Sequence, residues 1–477
     1  MEQHATRVGE HSRGLRREIR CPLGRSRGRG RVRRGQGRVR TQARTQARSR
    51  GLRGVALVVA AAALALGLAP AEAVPAALST ASGLSGAATG PGSRADAASI
   101  PTGACALGGP ERGGTYEGLP TPAGFARSQG TVKALTLFID FPDAPAWSNS
   151  PSDRFAEFFP AATRYFDRSS YGKLAYRPTP HLRWIRMARP FAGYRIRRGT
   201  GFDPGSRFGY GALSREIVNA VDASVDFAAY DVINVLASPD AGPEATDDVL
   251  SVTFSGGMGT PLETGDGVRF GNVSFIWSRQ TGPSPFRVLN HETAHSFGLP
   301  DLYLGREDAT RAPTGHWDLM DEGWGPSNDF LGWHKWKMGW LDAGQVDCAG
   351  LPGGSDHTLT PTGRDGGTKI VVVPTSPSSA LVVEARENGE LDQAVCRPGV
   401  LVYRVDTRTD SGDGPVRVAD ATPGSQGCYL HDVNVDADLS DATHQVGDTY
   451  QDARSGIGVA VTEQRADGDW RVRVTRP

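Results

Sequence analysis

The sequence predicts an α+β fold in which a mixed α/β portion, residues 128–342, precedes an all-β portion, residues 343–477. Three observations predict it. Apolar runs of strand length alternate with segments of helical spacing in the first portion. The strongest helix pattern covers residues 284–298. After Leu341, short β-rich runs recur between turns, which is typical of a sandwich of roughly 130 residues.

Residues 1–73 come first and predict a secretory signal peptide. Residues 1–53 contain 17 Arg against 3 Glu, and the 14 uncharged residues VALVVAAAALALGL follow. Small residues suited to cleavage end this segment, at Ala69–Ala71 or Ala71–Ala73. The apolar run is shorter than the roughly 18 to 20 residues that span a bilayer. We therefore expect a secreted, extracellular protein without stable membrane association after cleavage. An uncleaved anchor and a nucleic-acid-binding Arg tail are the alternatives.

Residues 74–127 are rich in Ala, Gly, Ser, Pro and Thr, which predicts a flexible linker or a short propeptide. Removing residues 1–73 takes 17 Arg and 4 Glu from the 53 basic and 52 acidic residues. The remaining 36 basic and 48 acidic residues have a net charge of −12. This acidic balance argues against a nucleic-acid partner. We expect a soluble monomer that acts on protein or peptide substrates.

In residues 128–342, strands are predicted at VKALTLFIDF, FAAYDVINVLASPD and FGNVSFIWS. DRFAEFFPAATRYFDRSSYG has helical spacing that Pro160 interrupts. In residues 343–477, the predicted strands are TKIVVVPT, ALVVEARE, GVLVYRVDT, IGVAVTEQ and WRVRVTRP.

Four cysteines follow the predicted signal peptide, an even number that predicts two disulfides in an exported chain. Of the three pairings we favour Cys396–Cys428 and Cys105–Cys348. A four-cysteine metal site is an alternative, although no C-x-x-C spacing occurs. A second alternative is a latent enzyme in which the Cys105 thiolate occupies a metal position.

The helix at 284–298 has Ser284 as its predicted N-cap, Pro285 at its first position and Gly298 at its end. On a helical projection Phe286, Leu289, Thr293 and Phe297 form one apolar stripe, and two histidines project from the opposite side.

Those histidines, His291 and His295, lie one helical turn apart in HETAHSFGLPD and can bind one Zn²⁺ together. Glu292 lies beside them, where it can act as the general base for a metal-activated water. Gly298 can reverse the chain and return Asp301 as a third ligand. Two histidines and one carboxylate leave the fourth position open, which is typical of catalytic zinc. The alternative is a buried helix whose histidines only pack or cap.

GHWDLMDEGWG places Met320 in a turn 19 residues after Asp301, as in zinc proteases with a methionine turn beneath the metal. Glu322 is an alternative third ligand. His316 and His334 could also approach the site, although packing or surface roles are expected for both. No oxyanion role is assigned to Tyr303.

HETAHSFGLPDLY, GHWDLMDEGWG and FLGWHKWKMGWL together resemble secreted metallopeptidases of the immune inhibitor A type. The similarity covers about residues 131–477 and includes LTLFIDFPD and YFDRSSYGKL upstream. It implies a zincin/metzincin-like catalytic domain at 128–342, with a mixed sheet and an active-site helix. It also implies ligand roles for His291 and His295, the base role for Glu292 and the methionine turn at Met320. The sequence departs from many relatives at Thr293–Ala294, which puts packing and specificity in doubt more than chemistry.

The sequence thus predicts a secreted zinc-dependent endopeptidase that hydrolyses peptide bonds of extracellular proteins. A catalytically inactive secreted adhesin or binding protein with the same fold is the alternative. Calcium is left open as a structural cofactor with no assigned site. The alternating Asp432, Asn434, Asp436 and Asp438 resemble half of a calcium loop but lack its glycine and glutamate.

Overall fold

The computed structural model describes residues 103–111, 114–147, 149–241, 251–256, 262–265, 267–277, 284–305, 313–321, 328–428 and 437–477. These residues form five α-helices and sixteen β-strands. The helices are α1 (Pro151–Ala156), α2 (Ala161–Ser169), α3 (Gly209–Val221), α4 (Phe286–Ser296) and α5 (Gly332–Lys337). The strands are β1 (Gly130–Asp140), β2 (Leu174–Arg186), β3 (Val232–Ala237), β4 (Val252–Phe254), β5 (Leu262–Glu263), β6 (Arg269–Phe270), β7 (Val273–Ile276), β8 (Val346–Cys348), β9 (Gly353–Leu359), β10 (Ile370–Ser376), β11 (Ser379–Arg386), β12 (Gly399–Asp406), β13 (Val416–Val418), β14 (Thr449–Gln451), β15 (Gly458–Gln464) and β16 (Trp470–Arg476).

A mixed sheet with the strand order β2-β1-β3-β7-β4 forms the first part of the fold. Strands β2, β1, β3 and β7 are parallel, and β4 is antiparallel to β7 at one edge. The three predicted strands correspond to β1, β3 and β7. Strand β2 was not predicted because Pro178 and Pro180 interrupt its pattern, which an edge strand tolerates. Strand β4 is too short to give a pattern, and α3 was also not predicted.

Helices α1 and α2 are separated at Pro160, as the sequence predicts. Helix α2 buries one side against α4, where the rings of Phe166 and Phe297 meet edge to face with centroids 5.8 Å apart. Asn290 on α4 donates a hydrogen bond to the carbonyl of Ala162 on α2, at 3.3 Å. Helix α4 is therefore held between α2 and the edge of the mixed sheet.

Two further sheets, β13-β12-β11-β10-β8 and β14-β15-β16-β9, pack face to face as the predicted sandwich. Strand β10 shows how this sandwich joins the rest of the chain. Val371 and Val373 face the other sheet, whereas Ile370 and Val372 share a core with α4. The predicted portions 128–342 and 343–477 thus share one hydrophobic core across their boundary.

Residues 103–127 contain no helix or strand in their described part, yet they pack into the same core. Cys105, Leu107 and Leu119 are buried there, and the Leu119 amide donates a hydrogen bond to the Leu107 carbonyl at 2.8 Å. This part of the predicted linker or propeptide therefore belongs to the packed fold and is not a free linker. The predicted signal peptide, its alternatives and the start of the 74–127 segment lie outside the described residues.

Both favoured disulfides are present in the structure. Cys105 bonds to Cys348 with a Cα–Cα distance of 5.8 Å, and Cys396 bonds to Cys428 with a Cα–Cα distance of 6.3 Å. This pairing contradicts the alternatives of a four-cysteine metal site and of a free Cys105 thiolate. In the described part of the chain, no helix has the length and hydrophobicity needed to cross a membrane.

Candidate metal centre

Helix α4 carries the histidines, and its first turn differs slightly from the prediction. The hydrogen-bonded helix begins at Phe286, with Pro285 instead of Ser284 at the N-cap position and no capping side chain. Pro285 already has helical dihedral angles, φ −60° and ψ −24°. The Arg287 amide also donates to the Ser284 carbonyl at 3.0 Å, so the first turn starts at Ser284 and the difference amounts to one residue at the helix end.

The end of α4 is the Schellman turn that the glycine predicts. The Gly298 amide donates to the His295 carbonyl and the Leu299 amide to the Ala294 carbonyl, at 3.0 and 3.2 Å. Gly298 has φ +91°, a conformation that residues with a Cβ rarely adopt. This turn reverses the chain, so that Asp301 lies beside the histidines.

His291, His295 and Asp301 bring three ligand atoms together within 4.8 Å of one another. Asp301 Oδ1 lies 3.1 Å from His291 Nε2 and 3.2 Å from His295 Nε2. In the described part of the chain, this is the one group of three or more His, Cys, Asp or Glu side chains with such convergence.

The hydrogen bonds of both histidines fit a metal ion. His291 Nδ1 donates to the Leu319 carbonyl and His295 Nδ1 donates to the Leu299 carbonyl, each at 2.8 Å. A carbonyl oxygen only accepts, so each Nδ1 must carry the proton. In a neutral imidazole the lone pair is then on Nε2, which faces the common point. Two such nitrogens and a carboxylate oxygen are a ligand set of catalytic zinc.

The turn that contains Met320 supports two of the three candidate ligands through its backbone. The Leu319 carbonyl holds His291, and the Met320 carbonyl accepts the Leu302 amide, next to Asp301, at 3.0 Å. The Asp318 side chain accepts the Met320 amide at 2.7 Å and fixes the turn. The Met320 side chain is fully buried in the core that includes α4.

Glu292 is 5% exposed and lies beside the two histidines. The hydroxyl of Thr253 on edge strand β4 is 2.8 Å from Glu292 Oε2 and 2.7 Å from the Glu292 carbonyl. Ser274 on β7 is 2.8 Å from the same hydroxyl. Burial raises the pKa of Glu292, and the neighbouring histidines oppose that shift. The carboxyl group is thus held in one orientation and favours proton uptake more than an exposed glutamate does.

Charges within the cluster are tightly coupled. Burial lowers the pKa of His295, but the Asp301 carboxylate raises it more, to about 9. Burial raises the pKa of Asp301, but the charge on His295 and hydrogen bonds from both histidines hold it well below its usual range. The carboxylate therefore attracts positive charge to the point where the histidine nitrogens converge.

A cavity of about 600 Å³ opens onto Glu292, His295 and Asp301. Its wall combines the mixed sheet, the packed segment at residues 103–127 and a loop between β12 and β13. The lining includes Ser251, Val252, Thr253 and Ser255 in and beside β4, Tyr116 and Phe125 in the segment before β1, and Asp410, Ser411 and Gly412 in the loop. Tyr303 also lines the cavity, with its ring stacked on that of His291 at 6.5 Å. Burial, followed by the charge of Asp301, raises the pKa of Tyr303 well above its usual value.

The other histidines considered from the sequence are not part of this cluster. His334 lies between Asp318 and Glu117, and His316 is fully buried with its ring stacked on Trp317. Both therefore pack inside the protein, as expected. Glu322 and the acidic run Asp432, Asn434 and Asp436 lie outside the described residues, and for Asp438 the side chain is not described.

Two residues near the cluster carry no signal in the sequence. Thr253 contacts Glu292, and Ser411 contacts Asp301. They lie 39 and 110 positions from their partners, in stretches without a recognisable motif. Only the folded chain brings them to the site.

Comparison with known proteins leaves the family open. No protein-family model and no curated protein matches this chain. Among the solved structures that match is catalytically inactive OgpA from Akkermansia muciniphila in complex with the O-glycopeptide substrate glycodrosocin, which aligns with 61% of this chain and 86% of that chain. The sequence identity is 11% and the TM-score is 0.26. A likeness this weak does not establish a common fold.

Proposed function

We propose that this protein is a secreted zinc-dependent endopeptidase. His291, His295 and Asp301 would hold the metal, and Glu292 would act as the general base. The observation that carries the proposal is the convergence of two Nε2 atoms and one carboxylate oxygen beside a buried glutamate. This cluster faces a cavity and is not sealed in the core. A histidine pair used only for packing has no need of a cavity or of a neighbouring carboxyl group.

The chain's own groups support a hydrolytic role. A bound zinc ion would supply Lewis-acid polarisation of the scissile carbonyl and would acidify the attacking water. Glu292 would accept the proton of that water and deliver it to the departing amine. Thr253 holds one oxygen of Glu292, which leaves the other oxygen to exchange the proton.

The position of strand β4 at the edge of the sheet and beside the cavity favours a peptide as the substrate. Strand β4 lies at the end of the mixed sheet and pairs with β7 on one side among the described residues. Several of its residues line the cavity next to Glu292. An extended peptide could hydrogen-bond to such an edge and pass its backbone across the site. This mode of binding uses main-chain groups, so it suits an enzyme that cuts within a chain.

Secretion is supported by the two disulfides, because disulfides persist in oxidising compartments. The predicted signal peptide agrees with this location.

The test compares wild type with Glu292→Gln and with a control, Glu463→Gln. Glu463 is a residue of β15 whose side chain is half exposed and pairs with Arg471 at the surface. Zinc content of the exported protein and cleavage of casein would be measured for all three. We expect one zinc per chain in every protein, with cleavage by wild type and control but not by Glu292→Gln.

Absence of zinc from wild type would refute the metal site and with it the enzyme. Zinc binding without cleavage of casein or a diverse peptide library would refute the peptidase and favour the secreted binding protein. Full activity of Glu292→Gln would refute the role of the base.

A further inference from the structure

We propose that Ser411 positions Asp301 for metal binding, so that the C-terminal β portion helps to build the metal centre. The proposal rests on the proposed function, because it assigns a role to a residue beside the same site. Ser411 lies in the loop between β12 and β13, 110 residues after Asp301.

The Ser411 hydroxyl contacts Asp301 at two points. Its oxygen accepts the Asp301 backbone amide at 2.8 Å, and its proton is donated to Asp301 Oδ2 at 3.1 Å. One serine side chain therefore fixes both the main chain and the carboxylate of this residue. The hydroxyl has a single proton, and its donation to Oδ2 leaves Oδ1 directed at the histidine nitrogens.

The loop itself is held against the segment that follows Asp301. The Gly412 amide donates to the Asp301 carbonyl at 3.1 Å, and the Gly305 amide donates to the Gly412 carbonyl at 2.8 Å. Leu304 and Asp413 form an isolated antiparallel bridge. These contacts join the chain after α4 to a loop anchored by β12 and β13, so Ser411 cannot shift independently of Asp301.

Orientation matters here because Asp301 follows a turn and is not part of α4. The two histidines are fixed by the helix and by backbone carbonyls. Asp301 depends instead on contacts from elsewhere, and Tyr303 supplies a further hydrogen bond to its side chain. Ser411 is the partner that holds the carboxylate and the amide together. Loss of a group that orients a metal ligand typically weakens metal binding 10- to 100-fold.

The test uses Ser411→Ala, with Ser411→Thr as the rescue variant and Thr409→Ala as a control in the same loop. The Thr409 amide donates to the Asp406 carbonyl at 3.4 Å, a main-chain bond that Thr409→Ala leaves in place. Zinc affinity would be measured by competition with a chelator, and the coordination geometry by the visible absorption spectrum of the Co²⁺-loaded proteins. The free energy of unfolding of the metal-free proteins would be measured in parallel.

We expect Ser411→Ala to bind zinc about 10- to 100-fold more weakly and to change the Co²⁺ spectrum. Ser411→Thr retains the hydroxyl and should stay close to wild type, as should Thr409→Ala. A general structural defect would lower the metal-free stability of Ser411→Ala without changing the Co²⁺ spectrum, and that result would overturn the proposal.

Unchanged zinc affinity in Ser411→Ala would overturn the proposal while leaving the peptidase function intact, provided that wild type binds zinc and cleaves casein. Failure of wild type to bind zinc would overturn both. Should Ser411→Ala not fold, Ser411→Cys retains a weaker donor and must bind zinc more weakly than wild type. Wild-type affinity in that variant would also overturn the role of the hydroxyl.

Discussion

The buried imidazole of His334 allows a prediction about how stability depends on pH. His334 Nδ1 donates to Asp318 at 2.8 Å and Nε2 donates to Glu117 at 2.9 Å, with all three side chains fully buried. Both partners are carboxylates, so both nitrogens carry protons. Burial lowers the pKa of His334, but the charges of Asp318 and Glu117 raise it more, from 6.5 to about 10. The His334 cation therefore joins the segment at residues 103–127, which contains Glu117, to the turn that contains Asp318 and Met320.

The raised pKa of His334 decides in which direction the stability of the fold changes with pH. A protonated His334 stabilises the fold fully below about pH 6.5, and the contribution is lost as pH rises through about 10. Between pH 7 and 9 the loss amounts to about 2 to 3 kcal/mol. Lys337, which bonds to the Gly118 carbonyl, opposes this trend because burial lowers its pKa to about 8. Lys337 therefore destabilises the fold less as the pH rises, and the free energy of unfolding gains about 1 kcal/mol from it between pH 7 and 9.

Glu117→Gln separates these effects by removing one carboxylate while preserving shape. The pKa of His334 should fall, so less of its stabilisation remains to be lost between pH 7 and 9. The pKa of Lys337 should also fall, because Glu117 raises it. Both changes act in the same direction: the variant should be less stable than wild type at pH 7, and this deficit should narrow by more than 1 kcal/mol at pH 9.

Urea unfolding followed by tryptophan fluorescence at pH 7, 8 and 9 would measure this difference. Glu463→Gln changes a half-exposed side chain far from His334 in sequence; it serves as the control and should follow the wild-type curve. Parallel curves for wild type and Glu117→Gln would show that His334 is not held as a cation, and would refute the reasoning.

Two further predictions concern the site itself. Thr253→Val should lower kcat about 10-fold with little change in KM or zinc content. A hydrogen bond to a charged group contributes about 1.5 to 3 kcal/mol, and the lower value applies because the single hydroxyl proton is shared between Glu292 Oε2 and the Glu292 carbonyl. Thr253→Ser should restore most of kcat, and an equally poor Thr253→Ser would argue against the hydroxyl. Gly298→Ala should lower the free energy of unfolding by about 2 kcal/mol or more, because φ is +91° and the new Cβ would lie 2.5 Å from a Thr121 methyl carbon. Gly130 is the control, because it has φ +69° but open space where the new Cβ would lie. Chemical unfolding of Gly130→Ala measures backbone strain alone, and the additional loss of stability in Gly298→Ala measures the Thr121 contact. Equal losses in the two variants would show that the Thr121 contact has no effect.

The elements that the sequence predicts well are those whose pattern is local. Strands β1, β3 and β7 are continuous apolar runs, and Pro160 divides its helical segment as proline must. Strand β2 has no strand pattern in its sequence, because two prolines interrupt it. Its hydrogen bonds to β1 make it a strand, and these form only in the folded sheet. The part of the 74–127 segment near Cys105 resembles a linker in composition, but the disulfide to Cys348 and the shared core hold it in the fold.

Within the site, the sequence by itself determined what one helix and one turn can specify. A spacing of four residues places His291 and His295 on consecutive turns, and Gly298 allows the chain to reverse toward Asp301. Tertiary structure decided which atoms face the common point. The carbonyl of Leu319 sets the tautomer of His291, and Ser411 contacts Oδ2 of Asp301 while Oδ1 faces the histidines. These contacts join residues 28 and 110 positions apart. No local periodicity encodes such contacts, because they exist only once the shared core has brought the β sandwich against α4.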